Sequence, residues 1–234
     1  MGQHWWRTAH GTGAATIVHV DLTPHAVRVE QAEAALDSSE KRRLSRYRLA
    51  RPRHEFALCR AALRAMLCRR LGCRNDDLAF EASPHGKPAA LVAGRPAPVS
   101  FNVSHSGNHG LIALAERGRI GVDVEERRSR PDPDGPIRTV FCPAEQAELA
   151  AARGAHKTDL FFTLWTMKEA LIKALGTGLS LDTAGFEIPP SLRHGSPTGE
   201  FRFPHDPDVG WRVDNLGTDD FAAAVAHELE PVSA

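Results

Sequence analysis

Residues 161–179 read FFTLWTMKEALIKALGTGL, and this stretch organises the second half of the chain. Its larger aliphatic residues recur at helical spacing: Leu164, Met167, Leu171 and Leu175. The pattern predicts a helix over about 158–175 with one buried stripe, ended by the Gly-Thr-Gly that follows. Glu169 and Lys173 stand four residues apart on a neighbouring flank. They form either an ordinary exposed pair or a metal-binding carboxylate followed by a phosphate-binding lysine, and the helix alone favours the exposed pair.

A short acidic strand is predicted at 120–125, where the sequence reads IGVDVE. Alternate side chains of a strand share a face. The isoleucine and the two valines are therefore expected to enter a core, while Asp123 and Glu125 point the other way. Neighbouring carboxylates repel each other, and a hard cation such as Mg²⁺ together with phosphate groups would relieve that repulsion. A solvated edge face without a metal is the alternative.

Two predicted polar turns carry groups that could donate hydrogen bonds to phosphate oxygens. Residues 101–107 read FNVSHSG and predict a strand that runs into a polar turn. Its hydroxyl, imidazole and backbone N–H groups can donate to phosphate, and the nucleophile elbow of a hydrolase is absent. A turn capped by its own serines is the alternative. Residues 85–88 read HGKP, a turn from which the lysine projects, but they lack the longer glycine-rich pattern of a P-loop.

Composition limits the class of protein. The 234 residues carry 29 Lys+Arg and 29 Asp+Glu, so the formal net charge is zero. A protein that held nucleic acid by bulk charge would be clearly basic, so that class is disfavoured. The apolar runs fall short of the ~18 residues of a membrane span, and the first ten residues do not resemble a signal peptide. The four Cys include no C-x-x-C pair, so free thiols and a cytoplasmic location are expected.

The order of predicted elements divides the chain into two α+β halves, residues 1–118 and 119–234. The first 15 residues are expected to be irregular. Predicted strands lie at 17–22, 99–103, 110–115, 120–125, 200–203, 210–216 and 220–226. Predicted helices lie at 54–71, 143–153 and 158–175. Asp37 to Glu40 supplies helix-capping residues ahead of a basic run, Lys41 to Arg53.

Four motifs in this order resemble the 4′-phosphopantetheinyl transferases of the longer, surfactin-synthetase-activating type. They are G-K-P at Gly86–Pro88, F-N-V-S-H-S at Phe101–Ser106, G-V-D-V-E at Gly121–Glu125 and the run W-T-M-K-E to G-L at Trp165–Leu179. The resemblance extends from about Ser39 to Phe186. It implies two similar α/β halves with pseudo-twofold symmetry and coenzyme A in the cleft between them. A chain that carries both halves is expected to be a monomer.

The resemblance also implies a role for individual residues. Asp123, Glu125 and Glu169 match the carboxylates around Mg²⁺, and Glu169 is the candidate acceptor for the proton of the attacking serine. Lys173 and His105 match catalytic residues that contact phosphate. The implied coenzyme A contacts are Arg43, Gly86, Lys87, Pro88, Ser104, His105, Asp123 and Lys173. Arg43 matches a contact to the 3′-phosphate, for which the neighbouring Lys41 and Arg42 are alternatives.

The implied activity moves the 4′-phosphopantetheine arm of coenzyme A to a serine of an apo acyl, polyketide or peptidyl carrier protein. The reaction would depend on Mg²⁺ and release 3′,5′-adenosine bisphosphate. Attack on phosphorus needs positioning and charge neutralisation rather than a protein nucleophile. No nucleic acid or membrane partner is expected, and residues 127–140 with the helix after them are candidates for carrier docking. Two alternatives remain: a non-catalytic module that binds coenzyme A or a carrier, and a Mg²⁺-dependent nucleotide phosphohydrolase.

Overall fold

The computed structural model describes residues 5–11, 14–82, 87–127, 134–176, 178 and 181–230. The chain divides into two units, Met1–Arg117 and Gly118–Ala234, which we call the N-terminal and C-terminal units. The expected boundary lies one residue later. Each unit contains antiparallel sheet and helices, so the predicted α+β class is confirmed. None of the helices in the described ranges is both long and apolar enough to cross a membrane.

The N-terminal unit contains two sheets and three α-helices within its described residues. In chain order its elements are β1 (Trp6–Gly11), β2 (Ala15–Asp21), α1 (Ala26–Ala35), α2 (Ser38–Leu44), α3 (Ala50–Leu71), β3 (Leu78–Ala82), β4 (Pro88–Val92), β5 (Arg95–Pro96), β6 (Ser100–Ser106) and β7 (His109–Ala115). The larger sheet has the order β1-β2-β7-β6 and the smaller one β3-β4-β5. Leu58, Leu63 and Leu67 of α3 share a core with Phe101 and Ile112 of the larger sheet.

The expectation of an irregular N-terminus is wrong for residues 6–11. They form the edge strand β1, with Trp6 opposite Val20 and Gly11 opposite Thr16 in antiparallel register. The backbone of an edge strand forms hydrogen bonds to one neighbouring strand only. The side chains of β1 are largely exposed. The alternation of apolar and polar residues that reveals a half-buried strand is therefore missing here. Helix α1 was likewise not predicted from the sequence.

Helix α2 begins with the cap that the sequence predicts. The Oδ1 atom of Asp37 accepts a hydrogen bond from the Glu40 backbone N–H at 2.9 Å, and the Asp37 N–H donates to Glu40 Oε2 at 3.0 Å. This reciprocal capping box fixes the start of the helix that carries the first residues of the basic run. Helix α3 runs from Ala50 to Leu71 and is capped by Gly72, whose φ of 64° suits glycine.

The C-terminal unit places a long helix on a four-stranded antiparallel sheet. Its elements are β8 (Ile120–Glu126), α4 (Asp134–Val140), α5 (Pro143–Ala151), α6 (Gly154–Leu175), α7 (Pro190–Arg193), β9 (Thr198–Phe203), β10 (Asp206–Asn215) and β11 (Phe221–Glu228). The strand order is β8-β11-β10-β9. The predicted stripe of α6 is confirmed, because Leu164, Met167 and Leu171 are fully buried in the core of this unit.

Gly121 allows α6 to lie directly on β8. A Cβ atom built at this position would lie 2.1 Å from the Ala170 carbonyl oxygen and 2.3 Å from the Ala174 nitrogen. Such contacts are impossible for any residue with a side chain, so the glycine sets the distance between strand and helix. The face of β8 that carries Asp123 is consequently the face covered by α6.

Candidate active site

Asp123 and Lys173 form an ion pair between β8 and α6. Asp123 is only 2% exposed, and the Lys173 Nζ lies 2.6 Å from its Oδ1. The two valines that flank Asp123 are buried on the other face of the strand, as predicted. The alternative of a solvated edge face is therefore wrong for Asp123. The alternative of an ordinary exposed Glu–Lys pair is wrong for Lys173, because its partner is a buried aspartate on another element.

Glu169 lies one helical turn before Lys173 and is half-buried. Burial raises the pKa of Glu169, the negative charges of Asp123 and Glu125 raise it further, and the positive charge of Lys173 opposes them. The three carboxylates that the sequence singled out are thus close enough to influence one another. A carboxyl group with a raised pKa is a better proton acceptor near neutral pH than an ordinary glutamate.

The oxygen donors of this group are of the type that Mg²⁺ binds. In the part of the chain that the structure describes, however, no three His, Cys, Asp or Glu side chains converge into a metal site. Lys173 instead neutralises Asp123 directly. The chemistry of the donors therefore fits a magnesium ion, while their present arrangement is that of a salt bridge beside two further carboxylates.

The predicted phosphate contacts Ser104 and His105 lie on β6 of the N-terminal unit. Adjacent strand residues point to opposite faces: Ser104 is buried, and the side chain of His105 is 43% exposed. The His105 Nδ1 lies 3.6 Å from Glu55 Oε2 on α3. The two side chains therefore do not form one patch, although both belong to the strand that leads into the polar turn.

The G-K-P turn is described only in part. Pro88 begins β4, where it pairs with Ala82, and Lys87 is half-buried just before it. Gly86 lies outside the described residues, as do residues 128–133 of the segment considered for carrier docking. The structure thus places the lysine and proline at the start of a short strand in the smaller sheet of the N-terminal unit.

Arg43 lines a basic cavity of about 660 Å³ on α2 and the turn that follows it. The lining residues are Ser39, Arg42, Arg43, Arg46 and Tyr47. None of the three arginine side chains has an ion-pair partner among the residues that the structure describes. Unneutralised guanidinium groups around one cavity are suited to a phosphate. Sequence reasoning singled out Arg43 but missed Arg46 and Tyr47, which belong to the same basic run.

Two family models together match most of the chain. Residues 119–226 match the 4′-phosphopantetheinyl transferase superfamily, and residues 21–117 match the N-terminal domain of 4′-phosphopantetheinyl transferases. A further observation decides the family: the chain is 30% identical to the 4′-phosphopantetheinyl transferase HetI of Nostoc sp. over 185 residues, which cover 77% of this chain and 78% of HetI. This chain belongs to the 4′-phosphopantetheinyl transferase family.

Other members of the family are similar over shorter stretches. A Synechocystis sp. protein, provisionally named as a 4′-phosphopantetheinyl transferase, is 40% identical over 148 residues, which cover 63% of this chain and 60% of that protein. The 4′-phosphopantetheinyl transferase Sfp of Bacillus subtilis is 31% identical over 58% of each chain. The resemblance recognised from four motifs is therefore confirmed, and with it the expectation of a transferase that uses coenzyme A and carrier proteins.

Proposed function

We propose that this 4′-phosphopantetheinyl transferase modifies a serine of an apo acyl, polyketide or peptidyl carrier protein, with Mg²⁺ as its cofactor. The serine oxygen forms a bond to the β-phosphorus of coenzyme A, and the bond from that phosphorus to the bridging diphosphate oxygen breaks. The leaving group is 3′,5′-adenosine bisphosphate, and the serine proton passes to a base. The observation that carries the proposal is the grouping of Asp123, Glu169 and Lys173 where β8 meets α6.

Lys173 is proposed to contact the diphosphate. Its side chain is 29% exposed, while the side chain of its partner Asp123 is almost wholly buried. The buried carboxylate fixes the position of the ammonium group, and the accessible side of that group can donate to phosphate oxygens. A positive charge held in this way stabilises the negative charge that develops in the transition state and on the leaving group.

Glu169 is proposed as the acceptor for the serine proton. Its raised pKa, caused by burial and by two neighbouring carboxylates, brings its proton affinity closer to neutral pH. Asp123, Glu125 and Glu169 would hold the Mg²⁺, which would supply charge neutralisation at the diphosphate when bound. A carboxylate that binds a metal tightly is a weak base, so we assign proton transfer to Glu169 and most of the metal contact to the two residues of β8.

The N-terminal unit is proposed to contribute further contacts to the phosphates of coenzyme A. Arg43 would contact the 3′-phosphate, supported by a cavity that three arginines line. The His105 side chain is 43% exposed, so its ring can reach a phosphate group. Contacts from Gly86, Lys87, Pro88 and Ser104 are proposed from the motif match alone.

We also propose that the enzyme is a monomer and is located in the cytoplasm.

The metal centre and the base are tested by carrier modification with Glu169→Gln and Asp123→Ala. We expect both variants to fold and to lose transfer by about 10²-fold or more. EDTA should abolish wild-type transfer, and added Mg²⁺ should restore it. Glu200→Gln, which changes an exposed carboxylate on β9, is the matched control and should be unaffected. Transfer that survives both substitutions and EDTA would remove this assignment.

A further inference from the structure

Three arginines and two phenylalanines alternate in a column on the N-terminal unit, which we call the arginine–phenylalanine column. The guanidinium carbon of Arg43 lies 4.9 Å from the centre of the Phe56 ring. Arg60 lies 5.5 Å from Phe56 and 4.4 Å from Phe80, and Arg64 lies 5.8 Å from Phe80. Distances of this size are those of cation–π contacts. The column therefore runs from buried Arg64 to Arg43 at the basic cavity.

The inner end of the column is rigidly held. The Arg64 side chain is 1% exposed, and it donates to Asn75 Oδ1 at 2.8 Å and to the carbonyl of Leu78 at 2.8 Å. Glu40 faces both inner arginines, at 2.9 Å from Arg64 and 3.5 Å from Arg60. The positions of Arg60 and the two rings are consequently set by a buried network rather than by solvent.

The outer end of the column differs from the inner end. Arg43 is exposed and has no ion-pair partner among the described residues. The Phe56 ring contacts the guanidinium groups of both Arg43 and Arg60. Burial lowers the pKa of Arg60 most, the negative charge of Glu40 opposes this, and the positive charges of Arg43 and Arg64 lower the pKa further. Repulsion between these like charges is unfavourable, and an anion bound at Arg43 would reduce it.

We propose that Phe56 is a positioning residue that holds the guanidinium group of Arg43 toward the cavity for a phosphate monoester. The inference rests on the proposed function, in which that monoester is the 3′-phosphate of coenzyme A. A ring face restricts a guanidinium group to a plane parallel to it and leaves its N–H edge free to donate to phosphate. Arg60, on the inner side of the column, adds positive potential at the same place.

The test compares coenzyme A with 3′-dephospho-coenzyme A, which lacks only the group in question. Phe56→Leu should raise the KM for coenzyme A about three- to fivefold while leaving kcat and the KM for the dephospho form unchanged. Arg43→Ala should raise the KM for coenzyme A by about tenfold or more and abolish the discrimination between the two substrates. Phe56→Tyr keeps the ring face and should restore the wild-type preference.

Phe80→Leu is the matched control, because it removes a ring from the inner part of the column and leaves Phe56 beneath Arg43. It should lower thermal stability without changing the preference for coenzyme A. Equal KM changes for the two substrates in Phe56→Leu, or none, would overturn the positioning role. If no transfer is observed, the dissociation constants of both substrates, measured without carrier, give the same comparison. Failure of the proposed function can therefore be distinguished from failure of this inference.

Discussion

The Lys173 ammonium group lies 2.6 Å from the Asp123 carboxylate, so a residue of α6 and a residue of β8 form one charged unit. The pairing depends on Gly121, because any side chain at that position would separate the helix from the strand. Glu169, one turn away on the same helix, is influenced by both charges. The packing of α6 on β8 therefore holds the carboxylates and the lysine together.

Substitution of Lys173 should weaken the use of coenzyme A. Lys173→Ala removes the accessible positive charge beside buried Asp123, so we expect the KM for coenzyme A to rise by about tenfold and kcat to fall. Steady-state kinetics of carrier modification measures both constants. Lys157→Ala, at the other end of α6, is the control. Kinetics that match the wild type in Lys173→Ala would reduce Lys173 to a structural partner of Asp123.

Gly121→Ala should destabilise the C-terminal unit. The new methyl group would lie 2.1 Å from the Ala170 carbonyl oxygen, so β8 and α6 must move apart. We expect a loss of about 3 kcal/mol or more in the free energy of unfolding, measured by denaturant titration. Gly11→Ala is a suitable control, since its nearest contact would be 4.0 Å away. Similar stability for the two variants would contradict the close packing of α6 on β8.

The buried pair Lys168–Glu145 gives a further test of the same helix. Both side chains are fully buried, and the Nζ and Oε2 atoms are 2.9 Å apart. Lys168 also donates to the carbonyls of Thr183 and Phe186. Lys168→Met should cost about 3–5 kcal/mol because it leaves a buried carboxylate without its cation.

The double variant Lys168→Met with Glu145→Leu should recover part of that loss, because no uncompensated charge remains. Urea unfolding of wild type, single and double variants measures the coupling. If the stability loss of the double variant equals the sum of the losses in the two single variants, the two residues do not act as a pair.

The ion pair between Arg119 and Glu228 should make stability depend on pH. Hydrogen bonds from the Arg119 side chain hold the pKa of Glu228 below its ordinary 4.5. A carboxyl group with a lowered folded-state pKa contributes stability above its unfolded pKa, and the contribution is lost as the pH falls through the folded value. Glu228→Gln should therefore cost about 1 kcal/mol at pH 7.

The stability difference between Glu228→Gln and the wild type should shrink as the pH is lowered below 4.5, the ordinary pKa of this group. Thermal unfolding at a series of pH values measures that difference. Glu200→Gln, which changes an exposed carboxylate, provides the control for effects of net charge. A difference that stays constant from neutral to acid pH would show that protonation of Glu228 is not its cause.

Several parts of the fold could be predicted because local physics determines them. The alternation at 120–125 predicts β8, and the helical spacing of Leu164, Met167 and Leu171 predicts α6. The capping residues Asp37 and Glu40 predict the start of α2. Strand β1 was missed, since the side chains of an exposed edge strand show little alternation. Helix α1 was missed because it buries two residues, Val29 and Ala32, and two positions are too few to show a helical period.

The sequence proposes the residues of the candidate site but does not give the contacts between them. The sequence identifies Asp123, Glu169 and Lys173 by their motifs, but it does not reveal that Lys173 is paired with Asp123 rather than with Glu169. That choice depends on how closely α6 approaches β8, which is a tertiary property. The arginine–phenylalanine column was missed for the same reason, because Arg43, Phe56 and Phe80 belong to three different elements.

The central claim is that this chain transfers phosphopantetheine to a carrier protein, and the mass of the carrier tests it most directly. An apo carrier should be incubated with the enzyme, coenzyme A and Mg²⁺, and its intact mass measured. We predict a gain of one phosphopantetheine arm on one serine, absent with EDTA and with Glu169→Gln. No gain on fatty-acid, polyketide and peptide carriers, under conditions where coenzyme A binds, would contradict the claim and indicate a protein that binds coenzyme A without transferring its arm.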